Sequence, residues 1–187
     1  MDQFLLDITK IRQSARQHVQ RGPVTESYKA DRIEVISVLN EALATELVCV
    51  LRYKRHYYMA KGINAEPIAQ EFLQHAIEEQ THAAQIAQRI TQLQGEPNFN
   101  PEVLTSCSHS EYTKSNSLIE MIREDLVAER IAVESYSEII RWLDNDDPTT
   151  RDLMEEILKA EEEHADELSN ILSTLDPMKA QRKETTA

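Results

Sequence analysis

Two copies of the pattern Glu-x-x-His, each preceded by a lone glutamate about 32 residues earlier, constrain this chain more than any other feature. The copies are Glu79-Gln80-Thr81-His82 and Glu161-Glu162-Glu163-His164. Glu46 stands 33 residues before Glu79, on an apolar helical pattern of Leu43, Ala44, Leu47 and Val50. Glu129 stands 32 residues before Glu161, on a matching pattern of Ile122, Leu126 and Ile131. Residues three apart in a helix project from one face. A carboxylate oxygen and an imidazole nitrogen one turn apart therefore reach the same metal ion. For any single glutamate here, a solvated place on an acidic helix is the ordinary expectation. The order Glu, Glu-x-x-His, Glu, Glu-x-x-His, one instalment per helix, is different: it is the set with which a four-helix bundle holds two metal ions in its core.

The rest of the chain agrees with an all-α fold. Three Gly and six Pro in 187 residues leave room for long helices, and no run of alternating β-branched residues argues for a sheet. Residues 1–21 form a separate amphipathic pattern, with Phe4, Ile8, Ile11, Ala15 and Val19 at helical spacing, ended by Gly22-Pro23. Its polar face is mildly basic (Lys10, Arg12, Arg16 and Arg21 against Asp2 and Asp7), and its stripe needs the bundle or a neighbouring subunit to cover it. The first bundle helix is expected from Asp31, with Glu34 completing a capping box, to Gly62, and the second from near Pro67 to Gly95. The third follows Ser117, with Glu120 as capping partner, and fades at residues 144–146. The fourth starts at Asp147-Pro148 and ends near Leu175-Asp176-Pro177. This divides the chain into an N-terminal helical extension (1–30), a four-helix bundle (31–176) and a polar tail (177–187).

Short connections make helices one and two, and three and four, antiparallel hairpins. The 22 residues from Gly95 to Asn116 reach roughly 70 Å when extended, against roughly 44 Å for a helix of this length. That segment can return along the whole bundle, which is the one-crossover, ferritin-like arrangement. It puts Glu46, Glu79, His82, Glu129, Glu161 and His164 near mid-length of their helices, at one level.

Four carboxylates and two imidazoles match the charge of two divalent cations, and oxygen and nitrogen donors without thiolate suit iron or manganese better than structural zinc. The net charge of −13 argues against coating nucleic acid or an anionic membrane and suits gathering cations. Cys49 and Cys107 make no disulfide framework; Cys49, one turn after Glu46, is either a small buried thiol or a neighbour of the site. No apolar run reaches the ~20 residues of a membrane span and no signal-peptide core is visible, so the expected location is the cytoplasm.

The segments Leu39-Asn40-Glu41, Thr45-Glu46-Leu47-Val48, Glu79-Gln80-Thr81-His82, Glu129 and Glu161-Glu162-Glu163-His164 resemble bacterioferritin and its Dps-like relatives, over about residues 31–175. The resemblance implies a di-iron ferroxidase centre in which Glu79 and Glu161 bridge the metals. Fe(II) is oxidised there with O2 or H2O2, and ferric product is mineralised inside a homo-oligomeric shell. Tyr53 matches a tyrosine placed close to that centre, from where it can donate an electron; an aromatic core position is its other reading. Gln80 stands where haem-binding bacterioferritins carry a methionine, so haem is not expected. Archaeal Dps-like proteins with this site carry a cysteine in the crossover and another on the third helix; Cys107 matches the first and nothing matches the second. His75 shares a face with Glu79 and His82 and reads as an entrance or inner-surface ligand, whereas His18, His56 and His109 read as ordinary polar residues. The 24-subunit shells of the family use a fifth helix, for which residues 177–187 are too few and too polar, so a dodecamer is preferred over a 24-mer. The rival readings are a di-metal peroxidase or manganese-catalase-like enzyme, and a DNA-protecting Dps-type shell acting through the basic N-terminal segment.

Overall fold

Asp31 opens the bundle in the computed structural model, which describes residues 5–63 and 65–175. Its side chain accepts from the backbone N–H of Ile33 and Glu34 at 2.9 and 3.2 Å, covering donors that a helix start leaves unpaired. Among the described residues all regular structure is helical: α1 (Ile8–Ser14), α2 (Arg32–Met59), α3 (Ala65–Gln92), α4 (Leu104–Cys107), α5 (Leu118–Leu143) and α6 (Pro148–Leu175), with a 3₁₀ turn at Val19–Arg21. Helices α2, α3, α5 and α6 form the four-helix bundle. The expected box at the start of α5 is complete, with the Ser117 side chain accepting from the Glu120 N–H and the Glu120 side chain accepting in return. At the start of α6, Asp147 accepts from Thr150 N–H at 2.9 Å and from Arg89 at 2.8 Å, and Tyr28 donates to it at 2.9 Å.

α3 ends slightly before Gly95. Gln94 takes the left-handed conformation (φ 62°), and Gly95 N–H donates to Ile90 O at 2.9 Å. Gly95 is needed there for space, because a Cβ would lie 2.8 Å from a methyl of Ile36 on α2.

The connection from α3 to α5 runs parallel to α2 and is tied to it along the way. Asn40 Oδ1 accepts from Asn98 N–H (2.7 Å) and Thr45 Oγ1 from His109 N–H (2.9 Å). Further along, Arg52 donates to Glu111 O (3.0 Å) and Arg55 to Ser115 O (3.2 Å). Between these ties α4, absent from the sequence reading, seats Leu104 and Cys107 on Ala44, Leu47 and Val48. The crossover therefore delivers α5 beside the start of α3, and α2/α3 and α5/α6 are antiparallel hairpins, as the connection lengths imply.

Two apolar clusters fill the bundle. One packs Leu39, Leu43, Ile86, Ile90, Tyr136, Leu143, Met154 and Ile157; the other packs Tyr53, Phe72, Ala76, Met121, Ile122 and Leu168. Each fully buried aliphatic or aromatic side chain contributes about 1.5–3 kcal/mol, which is how the bundle can carry a polar layer between the clusters.

The N-terminal segment differs from the expected continuous helix over 1–21. α1 spans seven residues, capped by Asp7, and the chain then turns, with His18 left-handed (φ 51°). Within the single chain the bundle does not cover the stripe: Ile8, Ile11 and Val19 stay exposed, and no residue of α1 is buried. A helix this short has little stability of its own without a covered face. Phe4 and the tail 177–187 lie outside the described residues.

Candidate metal centre

The polar layer consists of the six residues singled out in the sequence. Glu46 comes from α2, Glu79 and His82 from α3, Glu129 from α5, Glu161 and His164 from α6. All are buried: the four glutamates are each 1% exposed, His164 2% and His82 8%. Helical registry puts them there, since each Glu-x-x-His pair faces the axis and each lone glutamate sits at the same level across it.

The donor atoms fall into two groups. His82 Nδ1 lies 3.3 Å from Glu46 Oε2, 3.5 Å from Glu79 Oε2 and 3.1 Å from Glu161 Oε1. His164 Nδ1 lies 3.7 Å from Glu79 Oε1 and 3.8 Å from oxygens of both Glu129 and Glu161. Within each group the ligand atoms lie within 4.8 Å of one another, and Glu79 and Glu161 belong to both. A metal ion about 2.0–2.2 Å from each donor fits such spacings.

One atom from each of the six residues is buried without a hydrogen-bond partner: Glu46 Oε2, Glu79 Oε1, His82 Nδ1, Glu129 Oε2, Glu161 Oε1 and His164 Nδ1. Proteins pair most buried polar atoms, because leaving one unpaired costs about 1–3 kcal/mol; the other unpaired ones among the described residues, on His56, His109, Ser110 and Thr113, belong to residues outside this layer. Six such atoms facing one another make this layer the candidate cation site.

The electrostatics agree. Burial, reinforced by the charges of Glu79 and Glu161, pushes Glu46 well above the carboxylate range. Burial and the charges of Glu79 and Glu129 push Glu161 up to about 8. Burial also opposes ionisation of Glu129, but the nearby Glu161 carboxyl and His164 imidazole, with the Tyr53 hydroxyl, outweigh it and hold that carboxyl at about 2. Burial works against the cationic imidazoles, yet carboxylate partners overcome it and push His82 and His164 up to about 12. Crowded carboxylates thus retain positive charge nearby, as protons or as metal.

Tyrosines cap the outer oxygens. Tyr53 on α2 donates to Glu129 Oε1 on α5, and Tyr136 on α5 donates to Glu46 Oε1 on α2. Tyr53 was expected near the site; Tyr136 was not. Its signal is in the sequence, because each tyrosine follows the lone glutamate of its own hairpin by seven residues.

Also unforeseen is a buried ionic cluster one turn away. Arg52 Nε donates to Asp125 Oδ1 at 2.9 Å, and His56 Nδ1 meets Asp125 Oδ2 at 2.8 Å. His56, read as an ordinary polar residue, is completely buried. Cys49 is a buried thiol 3.6 Å from Arg52, pushed well up by burial. His75 is 1% exposed, and its ring stacks on His164 at 4.1 Å.

No helix among the described residues is long and apolar enough to cross a membrane. Comparison with known proteins agrees with the architecture. The sequence matches the family model of the ferritin-like domain over residues 36–178. It is 30% identical to a bacterioferritin of Mycobacterium avium, over 78% of this chain and 87% of that protein. The fold matches the bacterioferritin-related protein of Bacteroides fragilis, described as a dodecameric thioferritin, with a TM-score of 0.77 and 30% identity over 82% of this chain and 92% of that one. It also matches Rhodobacter capsulatus bacterioferritin, described with a metal-free dinuclear site and haem iron, with a TM-score of 0.68 and 27% identity over 82% and 91% of the two chains. With the bundle, its single crossover and the sequence match in agreement, the chain belongs to the ferritin-like domain family, among its bacterioferritin relatives.

Proposed function

We propose that this protein stores and detoxifies iron, oxidising Fe(II) at the six-residue centre and holding the ferric product in a shell built from copies of itself. The observation that carries the reading is the set of six buried, unpartnered donor atoms, one from each residue. Glu46 and His82 hold one Fe(II) and Glu129 and His164 the other; Glu79 and Glu161, common to both donor groups, bridge them. Four carboxylates balance two divalent charges, so the pair enters a dry site without stranding net charge. Two ions side by side deliver electrons together to O2 or H2O2, which one ion does poorly. Tyr53 and Tyr136 hydrogen-bond the outer carboxylate oxygens, and the contact with Glu129 supports Tyr53 as an electron donor. The same donor set accepts manganese. Haem does not fit, because Gln80 is an exposed amide with no thioether to offer.

The shell reading draws on the bacterioferritin relatives and on the dodecameric Bacteroides fragilis neighbour. A single bundle encloses no mineral, and a closed symmetric assembly of copies supplies the cavity.

The test is aerobic Fe(II) addition to metal-free protein, following Fe(III) absorbance and the iron retained after desalting. Wild type oxidises rapidly and retains iron; Glu79→Ala and Glu161→Ala lose the rapid phase while far-UV circular dichroism keeps the helices. Wild-type rates in either variant overturn the assignment.

A further inference from the structure

The buried ionic cluster beside the centre joins three parts of the chain. Arg52 of α2 is 1% exposed, and Asp125 of α5 and His56 of α2 are fully buried. Arg52 Nε donates to Asp125 Oδ1 at 2.9 Å, and a terminal nitrogen of the same guanidinium donates to Glu111 O on the crossover at 3.0 Å. His56 Nδ1 meets the other Asp125 oxygen at 2.8 Å. The centre follows directly on both helices. Tyr53 is the next residue after Arg52, Glu129 lies one turn after Asp125, and Tyr53 donates to Glu129. The Arg52 guanidinium carbon stands 5.9 Å from the centroid of the Tyr53 ring.

Such a cluster adds little net stability. Taking a guanidinium and a carboxylate out of water costs about as much as their attraction returns, and His56 Nε2 is buried with no partner. It adds geometry instead. A planar guanidinium that holds a carboxylate and a carbonyl in fixed directions selects one position of α5 along α2. The apolar neighbours Phe72, Met121 and Ile122 cannot do this, because apolar attraction has no direction.

The two donor groups depend on α5 to different degrees. Glu46, Glu79, His82 and Glu161 include no residue of α5, whereas the other group takes Glu129 from it. Tyr136 reaches from α5 to Glu46, but only to its outer oxygen. A shift of α5 along α2 therefore displaces a ligand of one ion and none of the other.

We propose that Arg52 and Asp125 are positioning residues of the centre, fixing α5 against α2 and so holding Glu129 where the second ion binds. The proposal rests on the di-metal reading.

The probe is Zn(II), titrated by calorimetry into metal-free full-length protein, with circular dichroism reporting the helices. Wild type is expected to take two ions per chain. Removing one partner alone strands a buried charge, so the first variant replaces the whole cluster by apolar side chains, Arg52→Met/His56→Leu/Asp125→Leu. It is expected to stay helical, bind one ion as wild type does and bind the other about ten-fold more weakly. Asp125→Glu, which keeps the ion pair and lengthens its arm by one methylene, is expected to weaken the same ion. Wild-type affinity for both ions in the apolar variant, or in Asp125→Glu should the apolar variant not fold, overturns the proposal and leaves the proposed function standing. Equal weakening of both ions also overturns it, because a merely structural loss does not choose between them. Fewer than two ions in wild type overturns the di-metal reading, and the proposal with it.

Discussion

Glu161→Gln is expected to stabilise the metal-free protein and destroy its response to metal. Glu161 is 1% exposed, and its carboxyl is pushed from 4.5 to about 8 by burial and by the charges of Glu79 and Glu129. A carboxyl whose pKa is raised in the folded state contributes stability that is fully present below its unfolded pKa and lost as pH rises through the folded value. Each unit corresponds to about 1.4 kcal/mol, so at pH 7 holding this proton costs the fold about 3 kcal/mol relative to the unfolded chain. Glu129 returns part of this, being held low by the protonated Glu161 beside it. The amide of a glutamine keeps such a donor without the charge, so the expected net gain is about 2 kcal/mol. For a chain of 187 residues that is about 4–8 °C in melting temperature. The assay is thermal unfolding of wild type and variant in chelator from pH 5 to pH 8.5, at one protein concentration because assembly contributes to stability. The gap is smallest near pH 5, widens as pH rises and levels off above about pH 8, as the linkage sign requires. Added Mn(II) or Zn(II) then reverses the order: at a hundred times its dissociation constant a ligand adds about 2.7 kcal/mol to wild type and little to the variant. A variant less stable than wild type in chelator at pH 8, or a gap independent of pH, refutes the reasoning.

Three further outcomes follow from the same geometry. Tyr136→Phe leaves Glu46 Oε1 buried without its donor, so urea unfolding should show a loss of about 1–3 kcal/mol, with metal affinity falling about ten-fold. His82 and His164 stand at about 12 before metal binds, so binding must displace their Nδ1 protons. Affinity then rises between pH 6 and 8.5, and calorimetry in buffers of different ionisation heat reads the protons released; none released counts against Nδ1 ligation. Light scattering on the eluted protein should give roughly 260 kDa for twelve 21.5 kDa subunits; a monomer or dimer argues against storage.

The grouping of the six residues, the cap of α5 and the topology were legible because they rest on local rules, whereas at Asp31 the side chain caps α2 without the reciprocal bond expected from Glu34. A three-residue step selects one helix face, Ser117 and Glu120 satisfy each other's backbone within one turn, and loop length separates hairpins from a crossover. What escaped was set by packing between distant segments. Arg52 and His56 are unremarkable on α2 until Asp125 arrives from α5 between them. Tyr136 carried a readable signal, the seven-residue step it shares with Tyr53, but an aromatic at helical spacing usually means core. The pattern over residues 1–21 reads as one helix because amphipathicity records a helical period and says nothing of whether a surface exists to cover it. With Ile8, Ile11 and Val19 uncovered by the bundle, only seven of the described residues there hold the α-helix.

The crosswise tyrosine bonds bear on how the chain folds. Each hairpin's contacts span shorter stretches of chain than those between hairpins, which favours its closing before the two dock. Neither hairpin satisfies its own lone glutamate: Glu46 waits for Tyr136 and Glu129 for Tyr53. While the hairpins are apart, all four carboxylates remain hydrated. Their dehydration falls on a single late event, the docking of one hairpin on the other after the crossover has closed its long loop. A cation that relieves that dehydration therefore acts on docking rather than on helix formation, and it slows undocking in proportion to how tightly it is held. The centre is in this sense a clasp between two prefabricated halves, and its grip sets the lifetime of the folded bundle.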